Sequence, residues 1–179
     1  MFRSGFATLK LTPNIDTTGK GRALRVQGDW EEKVVVAVGA VVLDKDGRVL
    51  LVKHVEAKKG GFWFGKWICP GGRLETGETL VAGVEREIKE ETSLEVETSG
   101  KAVVFDRIVK DGSKTKLHVI YVDFVAKVVG GELKASSDVG IARWFSKEEL
   151  RERWGELHED TQKLIRESGI LDKDVALVV

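Results

Sequence analysis

The sequence predicts an α/β domain, and three observations carry that expectation. A β-branched run from Val34 to Leu43 is apolar at nearly every position, the pattern of a central strand buried on both faces. A segment from Thr79 to Thr92 has helical periodicity, with Leu80, Val81, Val84 and Ile88 on one stripe and acidic residues rotated away from it. Two further stretches, Ala102 to Val109 and Leu117 to Val129, read as strands, and helix signals follow them.

Residues 1–32 lack sustained periodicity and carry Pro13, Asn14, Gly19, Gly21 and Gly28, so they read as an amino-terminal extension with one or two short strands. Residues 33–179 read as one domain. Asp44-Lys45-Asp46-Gly47 supplies turn chemistry after the first strand, and Arg48 to Lys53 returns as its hairpin partner. Pro70-Gly71-Gly72 ends a strand and forces a tight loop whose carbonyls can turn toward a cation. Asp111-Gly112-Ser113 separates the two later strands, and Ala142 to Phe145 makes a short one. Ser146 with Glu149 three residues on is a capping box opening a helix over 147–154, and another helix covers 157–168. The apolar tail from Val175 to Val179 suits an edge strand or an interface, such as that of a homodimer.

Composition bounds the function. A 179-residue chain with 42% hydrophobic content builds one core and is short for two. Its 29 basic and 29 acidic side chains balance, so no global field draws it to a nucleic acid polymer or an anionic membrane, and neither partner is expected. A polyanionic substrate must be held locally. The single cysteine, Cys69, excludes an internal disulfide framework, and no run near Met1 has the length of a signal core or a membrane span. The expected compartment is the cytoplasm.

The most informative stretch reads Gly72, five residues, Glu78, seven residues, then Arg86-Glu87-Ile88-Lys89-Glu90-Glu91-Thr92-Ser93-Leu94. At about 100° per residue, Glu87, Glu90 and Glu91 fall within roughly a third of the helix circumference. Like charges so close raise each other's pKa unless a divalent cation neutralises them. Hard oxygen donors favour Mg²⁺ or Mn²⁺. The competing reading is a solvated acidic face.

This spacing resembles the signature of the Nudix hydrolases, G-x5-E-x7-R-E-U-x-E-E-x-G-U with U aliphatic. One position departs from it: Ser93 stands where glycine is usual, and glycine adopts the left-handed backbone of a helix end more cheaply. The resemblance covers roughly residues 33 to 168 and implies an α/β/α sandwich on a mixed sheet. It further implies metal-dependent hydrolysis of the diphosphate bond in a nucleoside diphosphate linked to another group, the cation both screening phosphate charge and lowering the pKa of a bound water. By match to the motif, Glu87, Glu90, Glu91 and the Gly71 carbonyl are the metal ligands, and either Glu87 or Glu90 is an alternative general base. Arg86 orients a neighbouring carboxylate such as Glu78. Asp138, ahead of the late strand, is the acid the family often adds from a loop, as base or further ligand. Glu132 competes with it, and a solvated loop acid is the plain alternative. Trp63 and Phe64, beside glycines at the mouth of the site, could stack a nucleobase, while a core or dimer contact is the competing reading, above all for Trp67.

Substrate marks outside the signature narrow the choice. No proline follows Pro70, which removes the downstream proline of many ADP-ribose pyrophosphatases, and position 111, where dinucleoside polyphosphate hydrolases tend to carry tyrosine, is Asp111. The approach from Gly65 to Gly72 resembles enzymes that remove nucleoside or deoxynucleoside triphosphates. A triphosphate is therefore the expected substrate, with ADP-ribose or another nucleotide sugar as runner-up. A binding or regulatory module that has lost catalysis belongs to a different class. Such modules usually show broken carboxylates, and here all are present.

Overall fold

The computed structural model describes residues 34–55, 63–136 and 139–171. The expectations for residues 1–32, for Asp138 and for the apolar tail lie outside the described residues. The chain runs β1 (Val34–Leu43), β2 (Val49–His54), β3 (Gly71–Arg73), α1 (Leu80–Thr92), β4 (Leu94–Asp111), β5 (Lys114–Gly131), β6 (Gly140–Phe145), α2 (Lys147–Glu152), a 3₁₀ turn at Trp154–Glu156, and α3 (Glu159–Glu167). The strands form one sheet in the order β4-β5-β1-β2-β6, with β3 also paired to β1. The β1–β5 pair is parallel and the others are antiparallel, so the sheet is mixed.

The alternation of β1 divides the core between two faces. Val38, Ala40 and Val42 pack with Val84 and Ile88 of α1. Val41 and Leu43 pack with Leu150 of α2 and with Leu164 and Ile165 of α3. Helices cover both faces, which is the α/β/α sandwich. No helix among the described residues is long and apolar enough to cross a membrane.

Four local expectations are corrected. The Asp44 turn forms, its carboxylate accepting from the Asp46 and Arg48 N–H groups at 2.9 and 2.8 Å, but β1 and β2 meet only at Leu43 and Val49. Beyond that pair β2 is matched residue by residue to β6, while the same edge of β1 takes β3 at Ala37, Val38 and Gly39. Gly71 and Gly72, read as a loop, open that short strand. A Cβ on Gly71 would lie 2.4 Å from the Val38 carbonyl oxygen, so only glycine allows the two backbones to approach this closely.

The apolar stripe of α1 is narrower than its pattern suggested. Val84 and Ile88 are fully buried, but Leu80 and Val81 are 38% and 39% exposed, because the cover of the sheet does not reach the first turn. Finally, β4 begins at Leu94 rather than near Ala102. Its first residues alternate correctly, Leu94 and Val96 inward and Glu95 and Glu97 outward. The polar run Thr98-Ser99-Gly100-Lys101, where the register shifts, hides that continuity in the sequence. At the carboxyl side the capping box forms, and α2 stops at Glu152 before tightening into the 3₁₀ turn.

Candidate active site

The acidic helix is set by small residues and a cap. Thr79 Oγ1 accepts from the Ala82 N–H at 3.2 Å, satisfying an orphan donor of the first turn. A Cβ on Gly83 would meet Leu74 at 2.9 Å and Val38 at 3.0 Å, so its absence lets α1 press against β1 and the chain after β3. The carboxylate face is thereby brought over Gly71 and Gly72.

Arg86 organises that face. Its Nε and Nη2 donate to Glu78 Oε1 and Oε2 at 3.0 and 2.8 Å, a bidentate pair, and Nη2 also donates to the Arg73 carbonyl at 3.1 Å. Nη1 donates to Glu87 at 2.8 Å and to Glu90 at 3.3 Å. The guanidinium lowers the Glu78 carboxyl to about 2, chiefly by that hydrogen bond, and Glu78 first and then Glu87 raise the Arg86 pKa. Glu87 moves the other way. Burial pushes its carboxyl above the ordinary value, opposed by Arg86 and reinforced by Glu90 and Glu78.

Glu87 rests on the Gly72 backbone, and Glu91 Oε2 accepts from the Gly71 N–H at 3.0 Å. Glu90 is the outermost of the three, with 62% of its side chain exposed. No three carboxylate, imidazole or thiol groups among the described residues are gathered around one point. The donor set nevertheless fits a hard divalent cation. It offers only oxygens, and it contains a carboxylate whose ionisation burial opposes and a cation would favour. Ser136 N–H donates to the Glu91 carbonyl at 2.9 Å, so the segment after β5 runs beside this end of α1. Glu132 in that segment is exposed, and Asp138 lies outside the described residues.

Gly71, Gly72 and Arg73 also line a cavity of about 390 Å³ on the α3 side of the sheet. Its walls are mostly apolar: Val35 and Ala37 from β1, Phe105 from β4, Leu117 and Val119 from β5, and Leu164 from α3. Trp63 lines it as well. Phe64 is 47% exposed and does not line it, and Trp67 is a core residue, its ring 4.9 Å from that of Phe145 in an edge contact.

Two features of this cavity escaped the sequence reading. Arg107 grips Asp160 through Nε at 2.7 Å and Nη2 at 2.6 Å, and Tyr121 Oη donates to the same carboxylate at 3.2 Å. This network ties β4 and β5 to α3 across a long sequence separation, and no local pattern announces it. The other feature is Asp123, which is 6% exposed and lines the cavity. It had a legible signal: a lone carboxylate in the inward row Leu117, Val119, Tyr121, Asp123, Val125 of a central strand.

An oxygen-rich helix face and a cavity that meet at one glycine strand suit a hydrolase of polyphosphate compounds. The family model described as the NUDIX domain matches residues 33–166. An ADP-ribose pyrophosphatase from Methanocaldococcus jannaschii is 36% identical over 132 residues, covering 74% of this chain and 71% of that protein. The nucleoside triphosphatase NudI from an Enterobacter species is 29% identical, covering 73% of this chain and 94% of its own. A solved MutT protein from Bacillus halodurans superposes with a TM-score of 0.61 at 25% identity, covering 78% of this chain and 84% of that one. The chain belongs to the Nudix family and is a pyrophosphohydrolase acting on phosphoanhydride bonds.

Proposed function

We propose that the protein hydrolyses the diphosphate linkage of a (deoxy)nucleoside triphosphate with the help of Mg²⁺ or Mn²⁺. The observation that carries this reading is the shared boundary at Gly71 and Gly72, which line the apolar cavity while touching Glu91 and Glu87. A base placed in the cavity leaves its phosphates at the carboxylate helix. Glu87, Glu90, Glu91 and the Gly71 carbonyl would hold the cation. When bound, it supplies charge screening for the phosphate oxygens and acidifies a water. Arg86 fixes Glu87 and Glu78 in place, and the Gly71 N–H holds Glu91, so the carboxylates are oriented before substrate arrives. Glu87 or Glu90 takes the proton of the attacking water.

A second reading is favoured by the M. jannaschii relative, whose name specifies ADP-ribose. The two differ in products. Incubating the protein with Mg²⁺ and a nucleotide panel, then separating the products, gives a nucleoside monophosphate with pyrophosphate in the first case. In the second it gives AMP with ribose 5-phosphate. Turnover of ADP-ribose without turnover of any triphosphate would overturn the first reading in favour of the second.

A further inference from the structure

Asp123 sits on β5 in the row that faces the cavity, opposite Gly39 of β1. A Cβ on Gly39 would meet Asp123 Oδ1 and the Pro70 carbonyl oxygen, each at 2.8 Å, so the missing side chain is what gives the carboxyl its room. The residue is buried, yet no described residue hydrogen-bonds or ion-pairs with its carboxyl. By contrast, Asp160 on the same cavity wall is fully engaged by Arg107 and Tyr121. A carboxyl set in a mostly apolar wall with no partner among the described residues is poorly solvated and favours a polar ligand group that enters the cavity. Such a departure from core chemistry in a cavity points to a ligand that completes it.

The walls say which part of a ligand that is. Phe105 and Tyr121 are stacked with centroids 4.9 Å apart and 27° between their planes, and Leu117, Val119 and Trp63 add apolar surface. The paired rings form one apolar wall, and a heterocyclic base laid against it needs few polar contacts. Beside Asp123 the polar side chains on the lining are few, among them His54, Asp160 and Thr161, so the mostly apolar wall suits a base better than a sugar whose several hydroxyls each need a partner. We infer that Asp123 is the specificity-determining residue of this cavity, its carboxyl hydrogen-bonding the N–H edge of the substrate's base. This rests on the proposed function for the presence of a base, and on the geometry of β1 and β5 for the residue that reads it. Burial and the Asp160 charge push the carboxyl up to about 7, so near neutrality it can both donate and accept.

The test is equilibrium titration, without divalent cation, of a panel of nucleoside 5′-monophosphates and of ribose 5-phosphate into wild type, Asp123→Asn and Asp123→Leu. Wild type binds at least one nucleoside monophosphate more tightly than ribose 5-phosphate. Asp123→Leu weakens that binding about 10- to 100-fold, the loss of one buried hydrogen bond, and leaves ribose 5-phosphate unchanged. Asp123→Asn, which keeps a donor and an acceptor, loses less and guards against a folding defect in the leucine variant. With cation present, KM for the hydrolysed nucleotide rises by a similar factor while kcat moves within about three-fold.

If wild type hydrolyses a nucleotide and both variants keep its KM and base preference, the assignment of Asp123 falls and the proposed function stands. If wild type hydrolyses none but its monophosphate binding shows an Asp123-dependent base preference, the function falls and the assignment stands. Equal binding of nucleoside monophosphates and ribose 5-phosphate by wild type, or an equal loss of both in Asp123→Leu, overturns the assignment.

Discussion

The carboxylate of Glu87 lies directly on the backbone of Gly72: a Cβ there would meet Glu87 Oε2 at 2.4 Å and Oε1 at 2.7 Å. The spacing of the signature thus has a packing reason as well as a chemical one. Gly72 and Glu87 are fifteen positions apart in the chain, and the bare glycine is what lets the carboxylate settle against the β3 backbone.

Gly72→Ala should therefore disable the site without unfolding the protein. The Gly72 backbone is not in the left-handed region, so alanine is tolerated by the strand itself and the clash falls on the Glu87 side chain. We expect kcat/KM to fall by about 10² or more, the scale of disturbing a metal ligand or its support, with the melting temperature lowered by only a few degrees. Activity at the wild-type level would show that Glu87 need not occupy this position.

Glu91→Gln removes charge while keeping an oxygen able to accept from the Gly71 N–H. Turnover should fall on the order of 10² to 10⁴-fold. The apo protein should be as stable as wild type or slightly more so, because one member of a repulsive acidic cluster is neutralised. Excess chelator should abolish wild-type turnover. Glu95→Gln is the control: Glu95 pairs with Lys89 at 2.9 Å on the surface, away from Gly71 and Gly72. Equal activity of the two variants on every hydrolysed nucleotide would remove the metal site from this helix.

The parts of this arrangement that the sequence made legible are those with local spacing. The carboxylate face needed only helical periodicity, and the Arg86–Glu78 pair followed from the resemblance to the signature. The buried strand β1 declared itself by being apolar on both faces. What the sequence hid depends on pairing between distant segments. Nothing near Gly71 says that β1 will take it as a strand partner, and nothing near Arg107 says that Asp160, more than fifty residues away, will come to its guanidinium. Asp123 stands between these cases. Its residue type was visible as an exception in an apolar row, but the cavity that makes the exception useful exists only after β1, β5 and α3 have assembled.

The helix end carries a stability prediction. Ser93 caps α1 in the left-handed region, with φ 61° and ψ 11°, and its N–H donates to the Lys89 carbonyl at 2.9 Å. It is the one non-glycine residue with positive φ among the described residues. A side chain in that conformation costs about 1 kcal/mol relative to glycine, partly offset by the greater freedom of glycine in the unfolded chain. Ser93→Gly should therefore stabilise the protein by about 0.5 kcal/mol in denaturant titration, with kcat/KM within a few-fold of wild type. Destabilisation would mean that the serine side chain contributes to the turn.

The last prediction concerns pH. The Asp123 carboxyl is raised from the ordinary 3.8 to about 7, first by burial and then by the Asp160 charge. Its neighbours Cys69 and Tyr121 are pushed up as well, chiefly by their own burial, with the Asp123 charge adding to it at Cys69 and the Asp160 carboxylate at Tyr121. A carboxyl whose folded pKa exceeds its unfolded value makes the native state hold its proton more tightly. Its contribution to stability is therefore fully present below about pH 4 and is lost as pH rises toward 7. That rise in pKa corresponds to roughly 4 kcal/mol across the window. Glu78 runs in the opposite direction, its stabilisation present above the ordinary carboxylate value and lost as pH falls toward 2, so wild-type melting alone mixes the two. The difference between Asp123→Asn and wild type isolates the first. In chelator, with no nucleotide present, the melting temperature of Asp123→Asn should exceed that of wild type by an increasing margin between pH 4 and pH 7, then level off. Parallel curves over that range would place the Asp123 carboxyl in contact with solvent and remove the energetic argument for its role in the cavity.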